Sequence, residues 1–84
     1  MGRHARLIEI ILLGRSDANI EFDELRRLLV ALGFEERTRG SHHVFRRAGV
    51  ADLINLQRDG NKAKSYQVRQ VRGVILRYRL ETNE

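Results

Sequence analysis

The side chains with the most chemistry to offer lie together in Arg39-Gly40-Ser41-His42-His43-Val44-Phe45-Arg46-Arg47. A glycine turn there opens a run of β-formers, with paired histidines at its head and arginines at both ends. Side chains alternate faces along a strand, so His42, Val44 and Arg46 share one face and His43, Phe45 and Arg47 the other. Phe45 is the natural core member. Its face meets whatever covers the sheet, which leaves His42 on the open side and His43 at the margin of the core. Gly40 permits close backbone approach, Ser41 offers a hydroxyl, and Arg39, Arg46, Lys62 and Lys64 are expected to gather nearby. Such cations disfavour imidazolium and hold His42 in the neutral form that accepts a proton.

A neutral imidazole at a phosphate-binding surface can take the proton of a ribose 2′-OH, which then attacks the adjacent phosphorus. Arginine and lysine stabilise the charge that builds on the phosphoryl oxygens. DNA lacks that internal nucleophile, so the chemistry selects RNA and calls for no cofactor. Rival chemistries fit less well. Metal ligation by His4, His42 and His43 is opposed by the pleat, since adjacent strand histidines point apart. A Ser41–His43 nucleophile pair lacks an evident orienting acid. Gly60 with Lys62-Ala63-Lys64 falls short of a nucleotide-binding loop. The bland alternative is that both histidines are ordinary polar residues beside a turn.

The elements that must position this stretch are legible on either side. Leu7 to Leu13 is apolar except for Glu9 and predicts a short helix capped at Gly14, so apolar that its own domain or another chain must cover it. Phe22, Leu25, Leu28, Leu29 and Leu32 follow helical spacing, with Asn19 or Asp23 as the cap and Gly33 as the stop. Glu35–Arg39 reads as an edge strand, His42–Arg47 as a second and Leu53–Gln57 as a third, with a turn at Arg58-Asp59-Gly60-Asn61 and a basic connector after it. Ser65 is the expected cap of a last helix, whose stripe is Val68, Val71, Val74, Ile75 and Tyr78. Gln67, Arg69, Gln70, Arg72, Arg77 and Arg79 are expected to stay wet, and the chain to fray from Leu80 to Glu84. The order is helix, helix, three antiparallel strands, helix: an α+β domain with helices on one sheet face.

Composition sets the outer bounds. Eighty-four residues make one small domain with a single modest core. Lysine plus arginine total 16 against 11 acids, a net charge of +5, and only Lys62 and Lys64 are lysines. That arginine bias suits forked contacts to phosphate, and basicity of this kind points to nucleic acid, an acidic protein or plain solubility. Without cysteine there is no disulfide and no thiolate metal site. The apolar run is too short to span a membrane, and the expected compartment is the cytoplasm.

On these residues the sequence resembles HicA toxins of the YcfA-like group. The resemblance is carried by Phe22-Asp23-Glu24-Leu25-Arg26-Arg27-Leu28-Leu29, Leu32-Gly33-Phe34 and Gly40-Ser41-His42-His43-Val44-Phe45. Asn55-Leu56-Gln57, Gly60-Asn61-Lys62-Ala63-Lys64 and Tyr66-Gln67-Val68-Arg69-Gln70-Val71 extend it over about Phe22 to Leu80. It implies a double-stranded-RNA-binding-like α-β-β-β-α fold, here with an extra N-terminal helix: residues 1–20 as extension, 21–80 as the toxin domain, 81–84 as tail. It implies an mRNA interferase, the toxin of a type II toxin–antitoxin pair, bound by a HicB-like antitoxin, with His42 as the catalytic residue. RNA contacts are then expected from Arg39, Gly40, Ser41, His43, Arg46, Lys62 and Lys64. Two departures stand out: Asn55-Leu56-Gln57 replaces a Pro-x-His segment, and Ser65 stands where proline is common. The extension offers a route to a homodimer or a cover for the site. The rival reading is a non-catalytic RNA-binding module, or a basic adaptor for an acidic protein.

Overall fold

The apolar N-terminal run winds into α1 (Ala5–Leu13) in the computed structural model, which describes residues 4–82. What the sequence led us to expect of Met1 to Arg3, and of Asn83 and Glu84 in the tail, lies outside the described residues. Gly14 closes α1 in the left-handed region at φ 73°, where its N–H reaches the carbonyls of Ile10 and Ile11. Ile11 is fully buried, and Leu7, Ile8 and Ile10 pack against the same core. The domain itself therefore covers much of this helix, while Leu13 stays 62% exposed. Arg72, expected to be wet, instead donates to the Ile11 carbonyl at 3.1 Å and forks onto Asp17 at 2.9 and 3.2 Å. A guanidinium can satisfy several acceptors at once, and here it ties the end of α1 to the last helix.

Neither proposed side chain caps α2 (Phe22–Ala31). Asn19 closes a single 3-10 turn, Asp23 lies inside the helix, and Glu21 is the N-cap residue without a side-chain capping bond. The orphan N–H of Phe22 is met by the Asn61 carbonyl at 3.0 Å, so a distant turn does the capping. The other end follows the sequence closely. Gly33 adopts φ 97°, the Phe34 N–H returns to the Leu29 carbonyl, and the Gly33 N–H returns to that of Val30. This pair of bonds is the glycine-terminated stop expected at Leu32-Gly33-Phe34.

The chain then runs β1 (Glu35–Arg39), a turn at Gly40 with φ 55°, β2 (His42–Arg46) and β3 (Ile54–Leu56), in the antiparallel order β1-β2-β3. β3 is shorter than expected at both ends. The Leu53 carbonyl accepts from Gln70 Nε2, and the Gln57 N–H donates to Gln67 Oε1, so these groups leave the ladder. That second bond also explains why Gln67, expected on the wet face, is 4% exposed. A buried amide is tolerable when it is hydrogen-bonded.

Where a turn and a connector were expected, a small hairpin forms: β4 (Arg58–Asp59) and β5 (Lys62–Ala63). Its outer edge meets the segment before α2, with the Ala63 N–H on the Ile20 carbonyl at 2.9 Å. The final helix is α3 (Ser65–Tyr78); Lys64 takes the N-cap position without a side-chain capping bond, and Ser65, the expected cap, is its first residue. Arg79 ends it at φ 51°, and the Leu80 N–H bonds the Ile75 carbonyl. Leu80 packs on the core, so fraying does not begin there.

The result is an α+β domain of three helices with small antiparallel sheets. Phe45, Ile54 and Leu56 are fully buried from the sheet side, and Phe22, Leu25, Leu28, Leu29, Val68 and Val71 from the helices. Each such side chain contributes about 1.5–3 kcal/mol through burial. On the opposite face of β1 and β2, Glu35, Arg37, Arg39, His42 and Arg46 are exposed.

Candidate functional site

Register decides what that open face carries. Within the β1–β2 ladder Arg39 lies opposite His42, Arg37 opposite Val44, and Glu35 opposite Arg46. All six share one face by alternation, and successive rungs stand roughly 6.6–6.8 Å apart. Val44 forms the floor of a trough of ≈ 420 Å³ lined also by Glu35, Arg37, Arg39 and Arg46. His42 is exposed at the turn end of this trough, as expected from the position of Phe45. Its Nδ1 lies 3.3 Å from Asn55 Oδ1, on the neighbouring strand. With that amide oxygen as acceptor, Nδ1 carries the proton and the Nε2 lone pair remains for another.

The remaining expected residues separate into groups. Beside the turn, Gln57 Nε2 donates to Ser41 Oγ at 3.2 Å, and Lys64 Nζ donates to Gln57 Oε1 at 3.4 Å. Ser41 and Lys64 are thus joined through an amide. Gly40 has open space around its α-carbon, which suits close approach by a ligand. Arg46 sits at the far end of the trough, two rungs from His42. Lys62 is drawn elsewhere: its Nζ is 3.3 Å from Glu21 Oε1, beside the start of α2.

His43 faces the helices. Its Nδ1 is 2.9 Å from Glu36 Oε2 and 3.3 Å from Thr38 Oγ1, and its ring meets Phe22 edge-on at 4.9 Å. An orienting acid for His43 therefore exists on β1, although Ser41 is engaged with Gln57 instead. Glu36 also takes both prongs of Arg26, at 2.6 and 3.1 Å. That guanidinium, and secondarily His43, holds the Glu36 carboxyl below its ordinary value. Arg26 and Arg58 share Asp23, and Arg58 lies over the Phe22 ring at 4.5 Å. Arg58, then Arg26, likewise keep the Asp23 carboxyl low.

Sequence reasoning missed Arg37, Glu35, Asn55 and Gln57 as site members. Alternation from Ile54 and Leu56 does put Asn55 on the open face, but only the ladder register brings it to His42. Among the described residues no cluster of histidine and carboxylate groups fit to hold a metal occurs, and no helix is long and apolar enough to cross a membrane. Comparison with family models, curated proteins and solved structures finds no match for the chain.

Proposed function

We propose that this chain is a metal-independent endoribonuclease of the HicA-like mRNA interferase type, with a double-stranded-RNA-binding-like fold and a HicB-like antitoxin as its protein partner in the cytoplasm. The observation that carries the reading is the exposed His42 imidazole, turned by Asn55 and set across from Arg39 at the end of an arginine-lined trough. In this reading Nε2 of His42 removes the proton of a ribose 2′-OH. The 2′-oxygen forms a bond to the adjacent phosphorus while the bond to the 5′-oxygen breaks, leaving a 2′,3′-cyclic phosphate. The departing 5′-oxygen takes its proton from the imidazolium just formed. Arg39 and Lys64 stabilise the phosphoryl oxygens, and the Ser41 hydroxyl and the opening at Gly40 admit the backbone.

The test is cleavage of an oligodeoxynucleotide carrying one ribonucleotide, in excess chelator. His42→Ala should lower the rate about 10²- to 10⁴-fold, the usual worth of a general base. Equal rates for the two proteins would remove His42 from the chemistry. A second reading, a non-catalytic RNA-binding module, rests on one fact: the partner of His42 is an amide, while the carboxylate-held imidazole is His43. Salt-dependent RNA binding without any cleavage would favour it.

A further inference from the structure

The open face carries cations at more than the His42 end, and their spacing has a use that a single phosphate contact does not explain. Arg39 and Arg37 follow one another along β1, two residues apart, and Arg46 lies across the ladder one rung further on. Each of the three rungs therefore carries one arginine, the rungs following at roughly 6.6–6.8 Å along the strands with Arg46 offset onto β2, a step comparable to that between phosphates of an extended strand. Glu35 is the exception on the face, and it is turned onto Arg37, with Oε1 3.2 Å from Nε. Both side chains of that pair are exposed, 83% and 69%, so a phosphate can replace the carboxylate at little cost.

Resting on the ribonuclease reading above, we propose that the trough is a three-phosphate track for single-stranded RNA. The scissile phosphate sits at the Arg39–His42 rung, the next on Arg37 and the third on Arg46. Two features favour a single strand. The track is a single narrow trough of cations on two neighbouring strands, with Val44 between them, whereas duplex RNA presents two phosphate rows across a shallow groove. In-line attack by the 2′-oxygen also needs a backbone free to rotate, which an A-form helix denies. No Phe, Tyr or Trp stands on the open face of β1 to β3, so the face lacks the large aromatic platforms that single-strand binders stack bases on, and its arginines are read as phosphate contacts. The track runs one way from His42, so added phosphates help on one side of the cleaved bond only.

The track is tested by binding and cleavage in parallel. Binding uses uncleavable oligodeoxynucleotides with one to five phosphates, titrated against salt with wild type, Arg37→Gln and Arg46→Gln. Affinity should climb through three phosphates and then level off. On the three-phosphate strand each variant should lower the salt slope by about 0.7, and Arg46→Gln should leave the one- and two-phosphate strands unchanged. Cleavage uses strands with one ribonucleotide, extended on the 5′ or the 3′ side. Extension on one side should raise kcat/KM in wild type, and Arg46→Gln should remove only the last increment. Equal losses at every length, or equal gains from both sides, would overturn the track. Absence of cleavage by wild type on every strand would overturn the ribonuclease reading instead, with the binding series still deciding the track.

Discussion

Replacing Glu36 with glutamine removes a charge that holds β1, β2 and α2 together, and the structure sets the size of the effect. Glu36 accepts two bonds from Arg26 and one contact from His43, and its side chain is 15% exposed against 32% for Arg26. A fully buried pair that loses one partner costs about 3–5 kcal/mol, and an exposed pair about 0.2–1 kcal/mol. A pair partly in water falls between, and glutamine keeps some hydrogen bonds, so about 2 kcal/mol is expected. In a domain of this size that lowers Tm by about 8–16 °C. The pH dependence has a definite sign. Arg26 chiefly, and His43, depress the folded-state Glu36 carboxyl below its ordinary 4.5. Its contribution is therefore complete above that value and is lost as pH falls through the folded-state value. Urea unfolding of wild type and Glu36→Gln from pH 7 down to pH 2 measures both features. A difference under about 0.5 kcal/mol at pH 7, the range of a neutral surface substitution, would refute the tether. So would a difference that persists unchanged at the acid end.

Asn55→Asp places a carboxylate at the Nδ1 side of His42 and favours imidazolium, so the acid limb of the cleavage pH–rate profile should move up by roughly one unit. An unmoved profile would show that Asn55 does not face the titrating group. Arg79→Gly should stabilise the domain by about 0.5–1 kcal/mol, the left-handed penalty less the entropy glycine gains when unfolded, read as a higher urea midpoint at constant m-value. Lys64→Ala should lower the salt slope of RNA binding more than Lys62→Ala, because Glu21 already neutralises Lys62.

How much of this was legible follows from where each determinant resides. Gly14, Gly33 and Gly40 mark their turns because the requirement is local: a left-handed backbone next to a periodic apolar run. Alternation about Phe45 likewise separated the faces of His42 and His43. Residues decided by what lies opposite them were not legible. Gln67 and Arg72 have the composition of a wet helix face, yet one meets the Gln57 N–H and the other Asp17 and the end of α1. The cap of α2 comes from Asn61, and the hairpin Arg58–Ala63 depends on an edge offered by Ile20 and Glu21. Those pairings span long sequence separations and leave no local trace.

The pleat gives the paired histidines two different surroundings. His43 is spent on structure, since its Nδ1 faces Glu36 and its ring packs on Phe22, so it helps fix the plane of the sheet. His42, one residue earlier, inherits a fixed backbone while its ring is held only by an exposed amide. A proton acceptor needs just that combination, a rigid base with a free nitrogen. Stability and the proposed chemistry thereby fall on opposite faces of β2. A change on the trough side should leave folding almost untouched, and one at Glu36 should reach the trough only by loosening the strand that carries His42.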